Sequence, residues 1–334
     1  MNKPYIIAEI ASAHEGDPND VLKLIDSSVE AKADAIKLQI FKKENLLSSY
    51  HKDFDLFKKL EISQQEWTRI FEVSERSGLE IIIEPYDLDS FNFVSQYDFI
   101  TAFKIPTSDV SNEKLITGIA RIEKPVYLGT GGAKESEINT AINLINANKS
   151  DSQIILMHGF QNFPTAIEDC NLSKISYLSG KYKTVVGYAD HTDSDDYLMR
   201  TMIPSLALSF GAEVIEKHIT LDRSKKGADY YSSLDPDEFK EFVHLLKSVT
   251  TINGSSGDWV LSKAELDYRI NMKKFAVMKH DMHKGQVISE GDISFRRIDT
   301  GGISPSEITQ IYGRTLNKTI KRDHPITISD INNE

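Results

Sequence analysis

The stretch Thr184–Asp190 reads TVVGYAD, and the stretch Val214–Ile219 reads VIEKHI. Each is a short, mostly apolar run that becomes polar near its carboxyl end. A longer amphipathic stretch, Asp195–Phe210, separates them. This order predicts a strand, a helix and a second strand parallel to the first, because parallel strands need a long crossover connection. The same unit recurs along the chain and decides the fold class.

Apolar runs of this kind alternate with helical patterns from residue 5 to about residue 250. We predict strands at Tyr5–Ala11, Ala35–Ile40, Leu79–Glu84, Phe99–Ile105, Val126–Thr130, Gln153–His158, Thr184–Asp190 and Val214–Ile219. We predict helices at Asp20–Lys32, after a capping box at Ser63–Glu66, and at Glu135–Asn148, Asp195–Phe210 and Pro236–Val249. Eight strand–helix units predict a (β/α)₈ TIM barrel. A doubly wound open sheet is the alternative, but no Gly-rich phosphate loop follows the first strand.

The carboxyl-terminal part has a different pattern. From Lys274 onward the sequence KFAVMKHDMHKGQVISEGDISFRR reads as short strands and turns. We therefore predict a barrel at residues 1–255, a linker with a helix at residues 256–272, and a small β-rich domain at residues 273–334. The stretch Ile252–Gly257 is interpreted as a flexible turn, and Leu261–Asn271 as the connecting helix.

Composition narrows the class of protein. The 334 residues include 39 Lys and Arg against 50 Asp and Glu, for a net charge of −11. This charge argues against a duplex nucleic-acid partner, which needs a basic face. The single cysteine, Cys170, excludes a disulfide within the chain and a Cys-rich zinc site. We read no signal peptide and no membrane span, and we predict a soluble, cytoplasmic protein.

Polar residues end several of the predicted strands. They are Glu9, Lys37, Gln39, Glu84, Lys104, Thr130, His158, Asp190, His191, Glu216 and His218. In a barrel the carboxyl ends of all strands converge on one site. Strand alternation places Glu216 and His218 on one face and Lys217 on the other. Because an unpaired buried charge costs several kcal/mol, these groups must pair, bind a metal or face a polar cavity.

Two pairs of these residues suggest specific chemistry. His191 and His218 end consecutive predicted strands, and two imidazoles with carboxylates nearby can hold Mn²⁺, Fe²⁺ or Zn²⁺ with open positions. Lys37 and Lys104 suggest a site for a phosphate or carboxylate. The structural alternatives are a loop histidine beside a helix cap, a hydrogen-bonded core histidine, and lysines whose ammonium groups reach solvent.

At this point the motifs identify a family. In chain order AEIASAHEG, IKLQIFK, FKIPTSDVSN, VGYADHT, GAEVIEKHIT and KGADYYSSLDP resemble the sialic acid synthase family. The tail resembles that family's antifreeze-protein-like (SAF) domain. The resemblance implies a TIM-barrel enzyme that condenses phosphoenolpyruvate with an N-acyl hexosamine or related aldose. The product is a 2-keto-3-deoxy sugar acid such as a nonulosonic acid, and phosphate is released.

The resemblance also implies roles for individual residues. His191 and His218 would hold a divalent metal, Mn²⁺ in the first place, with Mg²⁺, Co²⁺, Fe²⁺ or Zn²⁺ as alternatives. Glu9 and Glu216 would be the catalytic carboxylates. The implied substrate-binding residues are Lys37, Gln39, Lys104, Thr107, Gln161, Asp190, Asp229 and Arg297. The resemblance further implies a domain-swapped homodimer in which the tail arginine reaches the sugar of the partner's site.

Some motifs depart from the family pattern. Glu84-Pro-Tyr-Asp87 stands where the family commonly has TPFD, and Gly227-Ala-Asp-Tyr230 stands where it has GPDH. A carboxylate near a phosphate is repulsive unless a lysine or a metal intervenes. One alternative is therefore a metal-dependent aldolase, lyase or synthase of the same fold that acts on a different small acid. A less favoured alternative is a non-catalytic carbohydrate-binding paralogue.

Overall fold

The computed structural model describes residues 3–148, 153–162, 164–254 and 259–332. The chain divides into two units, Met1–Ser255 and Ser256–Glu334. Ile252 and Asn253 of the predicted flexible turn belong instead to a helix that ends at Asn253, and residues 255–257 of that turn lie outside the described residues. The finer division into barrel, linker and small domain stays a prediction.

Within the described residues, the first unit contains eight parallel strands in sequential order. They are β1 Tyr5–Glu9, β2 Ala35–Ile40, β3 Glu80–Pro85, β4 Ala102–Ile105, β5 Val126–Gly129, β6 Ile154–His158, β7 Val185–Asp190 and β8 Val214–Ile219. A short strand, β9 Ser233–Leu234, pairs with the carboxyl end of β8. Pairing of β1 with both β2 and β8 closes the sheet. The predicted TIM barrel is therefore confirmed, and the open sheet is ruled out.

Helices alternate with these strands. They are α1 Pro18–Glu30, α2 Lys43–Leu46, α3 Phe54–Leu60, α4 Gln64–Ser74, α5 Leu88–Val94, α6 Glu113–Ala120, α7 Glu135–Asn148, α8 Ser173–Tyr182, α9 Met199–Ser209 and α10 Pro236–Asn253. As predicted, the Ser63 side chain caps α4 by accepting from the backbone N–H of Glu66. Helix α9 begins later than predicted, because the Asp196 carboxylate accepts from the N–H groups of Leu198 and Met199 and forms a turn instead.

Two predicted strands are shorter than their apolar runs by two or three residues, whereas the other six differ by at most one residue at either end. The first ends at Glu9, because Ala11 has a φ of +43° and leads into a turn. The fourth begins at Ala102 rather than Phe99, because the Phe99 ring packs edge-on against Phe71 with 5.7 Å between the ring centroids. An apolar pattern does not separate a strand from a loop whose aromatic residue packs under a helix.

The barrel interior has an apolar layer and a charged layer. The apolar cluster inside the barrel is formed by Ile7, Ala35, Ile82, Ala102, Tyr127, Ile155, Met157, Ala189 and Val214. Two residues further along β1, β2, β3, β4 and β8, the same strand faces carry the charged residues Glu9, Lys37, Glu84, Lys104 and Glu216. A larger cluster between the strands and the helices holds the helices in place. The rigid sheet therefore presents charged groups toward one mouth.

The second unit, described by itself, contains helix α11 Lys263–Met272 and an antiparallel pair, β10 Lys274–Met278 and β11 Ile293–Arg297. Gly285 lies in the predicted tight turn with a φ of +88°, a conformation that favours glycine. The buried side chains of this unit include Ala276, Met278, Met282, Ile288, Ile293, Ile303, Ile311, Leu316 and Ile326. In the described ranges no helix is both long and apolar enough to cross a membrane.

We predict that His14 makes the stability of the barrel sensitive to acid. Burial lowers the pKa of His14 to about 4, and its Nδ1 accepts from the N–H of Gly16 at 2.9 Å. The unfolded chain takes up a proton below about pH 6.5, which the folded chain does not, so stability falls as the pH drops from about 6.5 to about 4. His14→Gln should remove about 1–2 kcal/mol of the loss between about pH 7 and about pH 5.

Urea unfolding at the two pH values measures this difference. Gln does not titrate in this range, and a lost hydrogen bond to the Gly16 N–H would affect both pH values alike, so the difference between them isolates the titration of His14. The control is His244→Gln, which changes an exposed histidine of α10. An equal acid loss in the wild-type chain and in His14→Gln would contradict the prediction.

Candidate active site

The register of the strands brings their polar residues into one layer of the barrel. Glu9 of β1 lies opposite Lys37 of β2 on one side and His218 of β8 on the other. Gln39 of β2 lies opposite Glu84 of β3. Because side chains alternate along a strand, these residues face the interior near its carboxyl end. The backbone itself therefore fixes the arrangement.

Lys37 lies at the centre of a cluster of buried charges. Its Nζ lies 2.6 Å from Glu9 Oε2, 2.8 Å from Glu216 Oε1 and 2.9 Å from Glu84 Oε2. These four residues are at most 2% exposed. The contact to Glu216 is a hydrogen bond, and the contacts to Glu9 and Glu84 are ion pairs. Together with Lys104 we call these residues the ion cluster: Glu9, Lys37, Glu84, Lys104 and Glu216.

Lys104 completes the ion cluster from β4. Its Nζ lies 2.7 and 2.9 Å from the two oxygens of Glu216 and 3.8 Å from Glu84 Oε1. Burial alone would lower the pKa of Lys104, but Glu216 and Glu84 outweigh burial and raise it. Burial would raise the pKa of Glu216, but Lys104 and Lys37 hold it well below its usual range. Glu216 is therefore ionised at neutral pH.

His191 and His218 lie side by side at the same mouth. Their ring centroids are 5.1 Å apart. Burial lowers the pKa of His191 to about 4 and that of His218 well below its usual range, and nearby ammonium groups add to both shifts. Both rings are therefore neutral near pH 7. His191 Nδ1 lies 3.2 Å from the carbonyl oxygen of Ala189, which only accepts, so Nδ1 carries the proton and Nε2 keeps a lone pair.

The two imidazoles fit the requirements of a metal site. Neutral imidazole is the form that binds metals, and a backbone carbonyl on the distant nitrogen orients the ring. The buried Nδ1 of His218 has no hydrogen-bond partner among the described residues. In those residues no three His, Cys, Asp or Glu side chains group as metal ligands. The pair can thus supply two ligands and leave positions open, as catalytic sites do.

Loops after the strands add three of the predicted substrate-binding residues. Thr107 follows β4, and a Cβ placed on Gly129 would meet its Oγ1 at 2.8 Å, so only a glycine lets this loop approach β5. Asp229 follows β8 with a φ of +59°, and Gln161 Nε2 donates to its Oδ1 at 3.5 Å. Burial raises the pKa of Asp229. The structure thus brings Gln161 and Asp229 together.

Asp190 and Lys217 form a separate buried pair. Lys217 Nζ donates to Asp190 Oδ2 at 2.7 Å, and both residues are 0% exposed. The N–H and the hydroxyl of Thr192 donate to the other carboxylate oxygen. Lys217 is on the opposite strand face from Glu216 and His218, as alternation predicts. The Asp190 carboxylate therefore holds the backbone that carries His191 and is not directed at the interior of the barrel.

Three further predicted residues are Thr130 and His158, which bond to backbone carbonyl groups, and Arg297, which belongs to the second unit. Thr130 Oγ1 donates to the carbonyl oxygen of Met157 at 3.0 Å, and His158 Nε2 lies 2.9 Å from that of Cys170. Thr130 therefore ties the end of β5 to β6, and His158 holds the segment that carries Cys170. Arg297 is exposed at the end of β11 in the second unit. Its predicted contact with a sugar stays a prediction.

Sequence reasoning did not single out two residues near the mouth. The half-buried Tyr86 lies two residues beyond Glu84, and burial together with the carboxylates of Glu84 and Asp229 raises its pKa well above its usual range. The Glu15 carboxylate accepts from the N–H of Ala228 and so holds the loop that carries Asp229. The spacing from Glu84 could have indicated Tyr86, but no sequence signal joins Glu15 to a loop more than 200 residues away.

A closed parallel barrel with buried lysines, carboxylates and neutral histidines at one mouth is typical of a TIM-barrel enzyme for small anionic substrates. The model of the NeuB family matches residues 24–258, and the model of the SAF domain matches residues 274–332. The chain belongs to the NeuB family. The resemblance to sialic acid synthases with a SAF domain is therefore confirmed.

Three similar proteins illustrate the family. The N,N'-diacetyllegionaminic acid synthase of Legionella pneumophila is 30% identical over 95% of this chain and 91% of its own length. The pseudaminic acid synthase of Campylobacter jejuni is 31% identical over 98% of this chain and 96% of its own. The crystal structure of N-acetylneuraminic acid synthetase from Leptospira borgpetersenii with citrate covers 81% of this chain and 93% of its own, with 32% identity and a TM-score of 0.73.

We predict that the pair of Lys217 and Asp190 is required for stability. Lys217→Met should lower the free energy of unfolding by about 3–5 kcal/mol, because it leaves a buried carboxylate without its counter-ion. The double variant Asp190→Asn with Lys217→Met should regain part of this loss. Urea unfolding measures both, with the exposed Lys225→Met as the control. A loss below about 1 kcal/mol for Lys217→Met would show that the pair is dispensable.

Proposed function

We propose that this chain condenses phosphoenolpyruvate with the open-chain form of an N-acyl hexosamine or related aldose. Carbon 3 of the enolpyruvate forms a bond to the aldehyde carbon, and the aldehyde oxygen takes up a proton. Water adds at carbon 2, and the bond between carbon 2 and the phosphate oxygen breaks. The products are a 2-keto-3-deoxy sugar acid, such as a nonulosonic acid, and phosphate. The relatives named as legionaminic and pseudaminic acid synthases support this reaction.

One observation carries the proposal. The ion cluster and the two neutral imidazoles lie next to each other at the carboxyl ends of the strands. Glu9 of the cluster is directly in register with His218 of β8. A trianionic donor needs ammonium groups, and the condensation needs a carboxylate that handles protons. This mouth offers both in a buried setting, where electrostatic interactions are strong. A chain that only binds carbohydrate has no physical need for so many buried charges.

The lysines would bind the donor. Lys104 has the more exposed side chain of the two, 9% against 2% for Lys37, and two of its close contacts are with one carboxylate, Glu216. It therefore has the greater capacity to meet a phosphate or a carboxylate of the donor. Thr107 supplies a hydroxyl close to β5. Glu216 fits the role of a fixed counter-ion that orients both lysines, because its pKa is too low for it to donate a proton.

Glu9 fits the role of the group that moves a proton. Neither of its two buried oxygens has a hydrogen-bond partner among the described residues, and only Oε2 is paired with a charge, that of Lys37. An unpartnered buried oxygen is unfavourable unless a ligand or water meets it. We therefore assign to Oε1 the acceptance of a hydrogen bond from the water that adds at carbon 2, or from the protonated sugar oxygen.

His191 and His218 would hold a divalent cation, with Mn²⁺ proposed first and Mg²⁺, Co²⁺, Fe²⁺ or Zn²⁺ as alternatives. Their neutral rings and the unpartnered Nδ1 of His218 support this assignment. When bound, such a cation supplies Lewis-acid polarisation of the sugar aldehyde. Asp190 would act indirectly, because its pair with Lys217 positions the segment that carries His191.

The sugar would lie toward the loops after β6 and β8. Gln161 and Asp229 bond to each other there and offer amide and carboxylate groups to sugar hydroxyls. Gln39, half-buried beside Glu84, lies on the same strand face as Lys37 and can meet the metal or the sugar. We keep Arg297 as the proposed contact to the acyl group of the sugar.

We further propose a homodimer with exchanged tail domains, in a cytoplasmic enzyme. An apolar stripe supports an interface. It consists of Leu198, which directly precedes helix α9, and of Met202 and Leu206 within the helix; they follow at intervals of four residues and are 66%, 44% and 43% exposed. Such an apolar stripe is unusual on a surface that faces only water. Light scattering of the purified chain measures the oligomeric state directly.

A second candidate function rests on Glu84. Its carboxylate lies 2.9 Å from Lys37, one of the two lysines that the donor phosphate would need. A less charged donor, such as a simple 2-keto acid, would meet less repulsion there. The second candidate is therefore an aldolase or lyase of the same fold that uses such an acid.

We predict aldose-dependent phosphate release. The purified chain with Mn²⁺, phosphoenolpyruvate and a panel of N-acyl hexosamines and related aldoses should release phosphate with at least one aldose. Mass spectrometry should find the matching sugar acid in equal amount. Omission of the aldose is the control for simple hydrolysis. If no aldose supports release while pyruvate and an aldose give a condensed product, the second candidate replaces the first.

We also predict that the two histidines bind the metal. His218→Ala should weaken Mn²⁺ binding by at least about tenfold, because it removes one of two protein ligands. Titration of free Mn²⁺ by electron paramagnetic resonance measures this without any turnover. The exposed His244→Ala is the matched control, since it removes a histidine far from the barrel interior. Equal Mn²⁺ affinity in His218→Ala and the wild-type chain would remove the metal assignment.

A further inference from the structure

Glu84 bridges the two lysines of the ion cluster. Its Oε2 lies 2.9 Å from Lys37 Nζ, and its Oε1 lies 3.8 Å from Lys104 Nζ. An anion with two oxygens side by side would take the same positions between two ammonium groups. Glu84 therefore occupies the place in which a phosphoryl group of the donor would gain most from the lysines.

Glu84 is also the surplus charge of the cluster. Three carboxylates, Glu9, Glu84 and Glu216, face two ammonium groups, which gives a net charge of −1. Without Glu84 the count is balanced. Glu216 already contacts both lysines through short bonds. Neutralisation of the lysines therefore does not require Glu84, and its position needs another explanation.

We infer that Glu84 is a built-in competitor that sets the affinity for the phosphoryl group, an inference that rests on the proposed function. In the free site its carboxylate occupies the ammonium groups, and the donor must displace it from them. Gln39 Nε2 lies 3.2 Å from Glu84 Oε2 and keeps a hydrogen-bond donor available to the displaced carboxylate. After the reaction Glu84 returns to the lysines and favours release of phosphate.

Anions of different charge should compete with Glu84 to different degrees. A phosphoryl group places its negative charge where the Glu84 carboxylate lies, so phosphoenolpyruvate and inorganic phosphate compete with it. Pyruvate carries one negative charge against about two on a phosphoryl group, so it competes less for the two ammonium groups. Glu84 is therefore a specificity-determining residue for the phosphoryl group and not a general repellent of anions.

Calorimetry on the full chain with Mn²⁺ tests this with three probes: inorganic phosphate, phosphoenolpyruvate and pyruvate. Glu84→Gln should bind the first two at least about tenfold more tightly than the wild-type chain, because a unit charge within about 4 Å acts strongly inside a protein. The affinity for pyruvate should change by less than about threefold, because its single charge meets about half the repulsion. Glu61→Gln, which removes a carboxylate outside the ion cluster, should behave as the wild type.

Equal or weaker phosphate binding in Glu84→Gln would overturn the inference, and so would an equal gain for pyruvate. Glu84→Thr is the second variant, in case the amide disturbs Lys37, and melting temperatures check that each variant folds. In turnover, Glu84→Gln should lower KM for phosphoenolpyruvate without raising kcat, because phosphate leaves more slowly. A purely structural role for Glu84 would not produce that split.

The outcome is separable from that of the proposed function. If the wild-type chain releases phosphate with an aldose but Glu84→Gln binds phosphate no more tightly, only the role of Glu84 fails. If the wild-type chain shows no such turnover but Glu84→Gln gains phosphate affinity, the competitor role stands and the proposed reaction fails.

Discussion

The ammonium group of Lys37, surrounded by three carboxylates inside a closed barrel, is the interaction on which the site depends. Charged groups lose their hydration when buried, and only close, mutually satisfied contacts compensate for that loss. The contacts of 2.6–2.9 Å around Lys37 meet this requirement. Loss of the Lys37 charge would leave Glu9, Glu84 and Glu216 without the cation that all three contact, so their positions depend on Lys37. The strands that carry these side chains are held rigidly by the apolar layer next to the charged one, so the charged groups can be kept at these distances.

Strand β8 shows how the fold separates the site from its support. Glu216 and His218 face the interior, while Lys217 between them faces outward and pairs with Asp190 of β7. The outward pair fixes the end of β7 and with it the position of His191. Neighbouring strands in register therefore build the reactive layer on one face and anchor it from the other, which is the arrangement that preorganised sites require.

The sequence predicts the barrel because eight apolar runs at regular spacing leave few alternatives, and strand alternation predicts which residues share a face. It identifies Lys37, Lys104, His191 and His218 by the same rule, since polar residues at strand ends converge. It does not predict partners. Asp190 was expected among substrate-binding residues but bonds to Lys217, and Glu15 supports a loop that is distant in sequence. Such pairings depend on side-chain packing in three dimensions, which spacing along the chain does not encode.

The charge of the ion cluster is linked to that of the neighbouring imidazoles, His191 and His218. The ion cluster has a net charge of −1, and the adjacent imidazoles add no positive charge, because burial and the nearby ammonium groups keep them neutral. A cation on the imidazoles would therefore be stabilised by the surplus carboxylate, and its charge would in turn reduce the repulsion that a phosphorylated donor meets. The surplus of Glu84 and the neutrality of His191 and His218 are in this sense complementary. The surplus negative charge would be unfavourable alone, and together with two neutral imidazoles it favours a site that would bind a cation and an anion side by side.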